Sequence, residues 1–444
     1  MANIFISVML VGTMLIIVGI LQSLVSAMIP ELEQMLNYSS GVISALLAIP
    51  AILSFVMIIS MSFVFSKITV RQCIRLSALL CVLSMVFSAI GMLFESFYVS
   101  VSFALLGRIV FGIGWVPLQT SLYVLLRNRF SRSHMFIRNS LWNILITFMF
   151  AGIGLSYMFT PAVMELSIHL MSLVLVLLIV VMMGIAIALP GFFAEYINVK
   201  QQATTLNPPV QSVMRIVAIA LYNFMTTGLW ISLMLYLPSI ITDWKEQLKI
   251  IDITFFSSFV IMGMVIAFFV SLFVTTKNRW LANIIISTAC VLIGGVMTLL
   301  DYADPMLGVA VVIISASSFY MSPFIAANAL FMGNTLYVAY QWIFASTFLG
   351  MSVYPAIFAL TTLSEYSSLI IIAGCTLIFA LSAIVGYVIW CFFVDVSDEE
   401  FANHNLNFLE VATSEVPSKF KGDEVNSDSE AGSPVVDDVP TVID

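Results

Sequence analysis

Arg108 stands inside an apolar run, Leu105-Leu106-Gly107-Arg108-Ile109-Val110-Phe111-Gly112-Ile113-Gly114-Trp115, in a chain of 444 residues. The run begins near Val99 and ends at Arg127-Asn128-Arg129. At ~1.5 Å per helical residue, Arg108 lies roughly 14 Å into the segment, near the middle of a bilayer. A guanidinium at that depth is costly, so it must face protein or water and is read as functional. Its planar fork of N–H donors suits bidentate binding of a carboxylate or phosphate. No Asp or Glu lies deep in any long apolar segment. Either a solute anion supplies the missing negative charge, or carbonyls and Asn/Gln of adjacent helices solvate the cation.

Other polar and aromatic residues recur at helical spacing. Arg108, Gly112, Trp115 and Gln119 share one face by the i, i+4, i+7, i+11 rule. Gly19, Gln22 and Ser26 lie in the first apolar segment, and Asn143 and Thr147 in the fifth. Tyr222, Asn223, Thr227 and Trp230 lie in the seventh. Ser315, Ser318 and Ser322 lie in the tenth, and Gln341 and Trp342 in the eleventh. Small residues and Ser/Thr also permit close helix packing, which is the reading for Gly112, Gly114, Ser315 and Ser322. Tryptophans pack, and amides bond neighbouring helices.

The composition decides the class. The chain is 61% hydrophobic and 9% charged, against about 25% charged in soluble domains, so most of it must lie in lipid. The net charge of −8 comes largely from the segment after Val394, which holds thirteen of the 24 acids. No basic patch offers itself to nucleic acid. Cys73, Cys81, Cys290, Cys375 and Cys391 lack the paired spacing of a zinc or redox site and read as small buried hydrophobes. No metal-ligand cluster, nucleophilic triad or phosphate loop is visible, so neither enzyme activity nor a cofactor is expected. Asn37-Tyr38-Ser39 matches a glycosylation acceptor only formally, in a short loop.

About twelve segments are long and apolar enough to span: near 5–28, 41–65, 73–94, 99–125, 140–161, 168–190, 214–240, 253–275, 281–300, 306–332, 338–362 and 367–393. The first is too long for a signal-peptide core and lacks a basic flank. The polar stretch around Lys200 to Pro209 divides six segments from six. Expected divisions are therefore an amino-terminal bundle 1–195, a linker 196–212, a carboxy-terminal bundle 213–395 and an acidic, disordered tail 396–444. Even-numbered connections hold most cations, including Lys67, Arg71, Arg127, Arg129, Lys277 and Arg279, whereas odd-numbered ones hold mostly acids. By the positive-inside rule both termini are cytoplasmic. Arg71 follows Pro30 by the interval that separates Arg279 from Pro238, which points to two halves repeated in the same orientation.

This arrangement resembles the major facilitator superfamily of secondary transporters, over residues 1 to about 395. Arg108-Ile109-Val110-Phe111-Gly112-Ile113-Gly114 looks like the family's Arg-x-x-x-Gly-x-Gly motif. Ser62 to Arg71 occupies the site of its Gly-x-x-x-Asp-Arg-x-Gly-Arg-Arg loop in degraded form, keeping charge only at Lys67 and Arg71. The stretch Phe150-Ala151-Gly152-Ile153-Gly154-Leu155 lacks the Gly-Pro ending of the family's drug–proton antiporters. The resemblance implies an all-α integral membrane protein of about twelve helices in two six-helix bundles, with helices one, four, seven and ten around a central cavity. It places the candidate solute contacts at Arg108, Trp115, Gln119, Gln22, Asn143, Tyr222, Asn223, Trp230, Ser318 and Gln341, and a gating loop at Lys67 and Arg71. It implies a carrier, usually monomeric, in the inner or plasma membrane, working by alternating access. The favoured solute is an anionic or zwitterionic metabolite. An efflux carrier for amphipathic compounds is the alternative. A third reading is a non-transporting sensor or scaffold that engages a cytosolic partner through the acidic tail.

Overall fold

A computed structural model describes residues 2–29, 32, 38–94, 96–130, 135–193, 210–244, 250–274, 276–300, 305–331, 333–361, 367–394, 396–397 and 401. The expected linker centre and nearly all of the expected tail lie outside these residues. The described backbone is helical, because a chain in hydrocarbon must satisfy its own N–H and C=O groups.

The amino-terminal helices are α1 (Ala2–Ala27), α2 (Ser40–Lys67), α3 (Val70–Leu93), α4 (Phe97–Phe130), α5 (Met135–Leu166) and α6 (Ile168–Phe192). Helix α7 runs Val210–Asn223, passes through a π-helical turn Phe224–Gly228 and continues as Leu229–Trp244. There follow α8 (Ile250–Phe273) and α9 (Lys277–Leu299). Helix α10 has two limbs, Pro305–Ser317 and Ser322–Leu330. Helices α11 (Gly333–Thr361) and α12 (Ser367–Cys391) complete the order. Among the described residues eleven helices are long and apolar enough to cross a membrane, and α8 adds the shorter apolar stretch Ser258–Ala267.

Two expectations of continuous helix are corrected. The seventh segment carries the π turn, and the tenth is broken between Ser317 and Ser322, where Ser318 and Tyr320 donate their N–H to Ser315 and Ser317 carbonyls in 3₁₀ fashion. Helix α5 also runs on past Pro161 to Leu166 rather than stopping there.

The packing repeats. In the first six helices, α1 lies on α5, α2 on α4, and α3 on α4 and α6; in the last six, α7 lies on α11, α8 on α10, and α9 on α10 and α12. The two sets meet along α2–α11 and α5–α8. Helices α6, α9 and α12 turn leucines and isoleucines such as Leu177, Ile187, Ile293 and Ile384 outward, as lipid contact demands. The buried share of the spanning window is 33% in α6 but 83% in α10, which puts α10 in the interior.

Glycine sets the closest crossings. A Cβ on Gly19 would stand 2.0 Å from the Met149 carbonyl, and one on Gly152 would stand 2.1 Å from the Ile16 carbonyl. The α7–α11 crossing repeats the device, with a Cβ on Gly350 falling 2.7 Å from the Gly228 Cα. At the other ends of the helices, Thr69 caps α3 in a capping box with Gln72, and Thr276 caps α9 through the Arg279 N–H. Thr69 thus stands at the degraded loop motif's second glycine as a helix cap. Tyr38, in the α1–α2 connection, is buried and bonds Ser100 of α4 at 2.8 Å. Burial pushes its hydroxyl pKa up, partly offset by the Ser100 contact.

Candidate functional site

Helix α4 is held at two levels. A Cβ on Gly112 would meet Pro50 of α2 at 2.8 Å, and one on Gly114 would meet Leu80 of α3 at 2.8 Å. These glycines let α4 sink against two neighbours, which brings Arg108 within reach of α1 and α2. Arg108 is buried, and its Nε donates to the Leu46 carbonyl at 2.8 Å. Its Nη1 donates to the Leu21 carbonyl at 2.7 Å and its Nη2 to the Gln22 carbonyl at 3.3 Å. The guanidinium also lies over the Phe111 ring, 5.2 Å from its centroid. Three helices of the amino half therefore converge on one cation. The carbonyls solvate that charge but do not neutralise it.

From Arg108 an aromatic path crosses to the other half. Phe111 stacks on Trp115 at 5.4 Å, and Trp115 meets Phe348 of α11 edge-on at 5.0 Å. The Trp115 Nε1 is buried with no hydrogen-bond partner, and so is the Gln22 Oε1. Buried polar atoms left open in this way call for an occupant such as water or a solute. A second bridge lies on α5, where Phe150 packs on Trp230 at 5.3 Å and on Tyr320 at 5.5 Å.

The carboxy half satisfies its irregular helices with neutral donors. The Trp230 Nε1 donates to the Ile313 carbonyl at 3.0 Å, and the Trp280 Nε1 donates to the Ser322 carbonyl at 3.0 Å, beside the break in α10. The Asn223 Nδ2 lies 2.7 Å from the Ile343 carbonyl, 2.7 Å from Thr347 Oγ1 and 2.9 Å from Ser346 Oγ, so two protons serve three acceptors on α11. The Asn223 Oδ1, just before the π turn, and the Thr227 Oγ1, within it, are buried without partners. A π turn leaves such local slack, and π bulges recur at functional sites.

The residues singled out by sequence therefore separate into groups. Arg108, Gln22 and Trp115 come together with Phe111. Trp115, Trp230 and Gln341 stand at the contact between halves; Gln341 donates from Nε2 to the Ile58 carbonyl of α2 at 3.2 Å. Asn223 faces α11. Tyr222 packs on Trp280 and Phe319, and Ser318 meets Ser287 of α9, so both lie within the carboxy half. Gln119 is half-buried. The Asn143 side chain lies outside the described residues. Lys67 is exposed over Phe63, and Arg71 is half-buried. Among the described residues no group of three or more His, Cys, Asp or Glu is placed to hold a metal.

One residue escaped the sequence reading, Tyr157, the partner of Ser26. The Tyr157 hydroxyl of α5 donates to the Met234 carbonyl of α7 at 2.9 Å, and Ser26 of α1 reaches the Leu235 carbonyl. Ser26 and Tyr157 also touch at 2.6 Å. Two hydroxyl protons serve these three contacts, which tie both halves together at one end of α1, α5 and α7. A lone tyrosine in an apolar helix gives no sequence signal for this role; only its position opposite the Met234 carbonyl does.

No protein-family model matches the sequence, and no curated protein matches it. The fold is shared with a crystal structure of a point mutant of the nucleoside transporter NupG, at a TM-score of 0.58 and 11% sequence identity, covering 86% of this chain and 100% of that one. The likeness is one of fold.

Proposed function

We propose that this chain is a secondary-active or facilitative carrier of the major facilitator type, moving a small solute across a membrane by alternating access. The observation that carries the reading is the pattern of contacts. Each set of six helices packs on itself in the same way, and the sets meet along two seams, α2–α11 and α5–α8. Two similar bodies joined by seams can rock about a site between them. The fold shared with a nucleoside transporter supports the same class.

The solute class rests on Arg108. This is a whole positive charge with carbonyl dipoles for partners, beside an open amide oxygen on Gln22. An anionic or zwitterionic solute adds the charge that those dipoles do not. A second reading, a neutral heterocyclic solute, draws on the aromatic path Phe111–Trp115–Phe348 and the open Trp115 Nε1. Such a solute would stack and accept one hydrogen bond.

The test is a thermal-shift screen of the purified protein against carboxylates, phosphates and neutral heterocycles, followed by uptake into proteoliposomes. A stabilising solute from the charged set, whose effect is lost in Arg108→Lys, supports the first reading. Stabilisation by the heterocycles that survives Arg108→Lys but not Trp115→Phe supports the second. Uptake of no stabilising compound at all would remove the carrier reading.

A further inference from the structure

Two prolines inside helices do the same thing in different places. A proline has no N–H to give to the carbonyl four residues back, and its ring pushes that carbonyl outward. Pro50 lies inside α2, and four residues before it is Leu46. The Leu46 carbonyl is the one that accepts from Arg108 Nε at 2.8 Å. Pro238 lies inside the last stretch of α7, and four residues before it is Met234. The Met234 carbonyl is the one that accepts from the Tyr157 hydroxyl at 2.9 Å. In each case the carbonyl that proline deprives of its helical partner is met by a donor from another helix. In hydrocarbon a bare carbonyl is costly, so such a donor is bound more firmly than it would be by a carbonyl already in use.

We propose that Pro238 is a positioning residue for a latch between the two halves. By withholding its own N–H it leaves the Met234 carbonyl open, and Tyr157 closes the seam by donating to it. Pro50 does the same for Arg108, but within one half, where the bond has no reason to break. The Tyr157–Met234 bond joins α5 to α7 across the halves, so separation at this end must break it. The neighbouring contact of Ser26 with the Leu235 carbonyl is the built-in control. Four residues beyond Leu235 is Ser239, which has an N–H, so that contact does not depend on a proline. The inference extends the carrier reading to the residues that hold one gate, and its measurement needs neither solute nor transport.

The test uses the full chain in lipid nanodiscs, with Cys290 and Cys391 changed to serine and spin labels on Leu166→Cys and Leu360→Cys. These positions are exposed at the ends of α5 and α11. Distance distributions between the labels report opening at this end. Tyr157→Phe should raise the population of longer distances roughly three- to tenfold, as expected for one lost hydrogen bond. Pro238→Ala, which lets residue 238 bond Met234 within the helix, should raise it by a similar factor. In the Pro238→Ala background, Tyr157→Phe should then add no further opening, while Ser26→Ala should still add its own. A proline that only shapes the helix would leave the Tyr157→Phe effect intact in both backgrounds, and that outcome overturns the proposal. An unchanged distribution in Tyr157→Phe alone also overturns it. Failure of the latch would leave the carrier reading standing, since uptake is measured separately.

Discussion

The two halves of this molecule share a packing plan and differ in how they satisfy polar groups within it. In the amino half α1 and α4 are continuous helices, and a single buried cation gathers carbonyls from α1 and α2. In the carboxy half their counterparts α7 and α10 are a π-bulged helix and a broken one, and neutral indoles and an amide take up the carbonyls. One half concentrates its polar interaction at a charge; the other spreads it along irregular backbone. The lesson is that a repeated topology does not require a repeated chemistry. Charge can fix one body firmly while helix breaks give the other places to bend.

The largest test of this contrast is Arg108→Ala. It removes donors from three carbonyls, of which Leu46 has no helical N–H to fall back on, and should cost about 2–4 kcal/mol of stability after the saved desolvation. A denaturation series in detergent would read it, with Arg108→Lys falling between the variant and the parent. A loss no greater than that of Trp280→Phe would erase the distinction between the halves.

Next come the glycine crossings. Gly152→Ala must force a Cβ against a carbonyl, and overpacking of this kind costs about 1–3 kcal/mol. Gly350→Ala meets a less severe approach, 2.7 Å against 2.1 Å. Gly152→Ala should therefore lower the melting temperature more than Gly350→Ala. The reverse order would show the carboxy half to be the stiffer body.

Trp280→Phe is smaller again. It strips one N–H from the Ser322 carbonyl at the α10 break and should cost about 1–2 kcal/mol. Faster hydrogen exchange at residues 318–324, with α4 unchanged, would sharpen the view that α10 is the pliable element. Gln341→Ala should have the least effect, about 0.5–1 kcal/mol, because its amide is only half-buried and its bond to the Ile58 carbonyl is long at 3.2 Å. Its signature would be a shift in uptake rate rather than in melting.

Much of this was legible in the residues, and the limits have physical causes. Apolar runs of about 20 residues announce helices in lipid, and the spacing of Pro30, Arg71, Pro238 and Arg279 announces the repeat. The depth of Arg108 was readable, and carbonyl solvation was one of its two foreseen resolutions. What spacing cannot show is which neighbour a helical face meets. Tyr222 and Asn223 are adjacent, yet one turn of about 100° sends the first to α9 and the second to α11. Nor does any residue type announce a π turn at Phe224–Gly228. Thr226 and Thr227 are compatible with regular helix. Ser26 carried a sequence signal, but its partner Tyr157 did not, because the carbonyls they seek are backbone and have no letter in the sequence.

The bare glycine crossings have a mechanical consequence. Where Gly19 meets Gly152, and Gly228 meets Gly350, main chain rests on main chain with no cushion of side chains to shear. Any residue larger than glycine at these four positions would have to push the paired helices apart, α1 from α5 and α7 from α11.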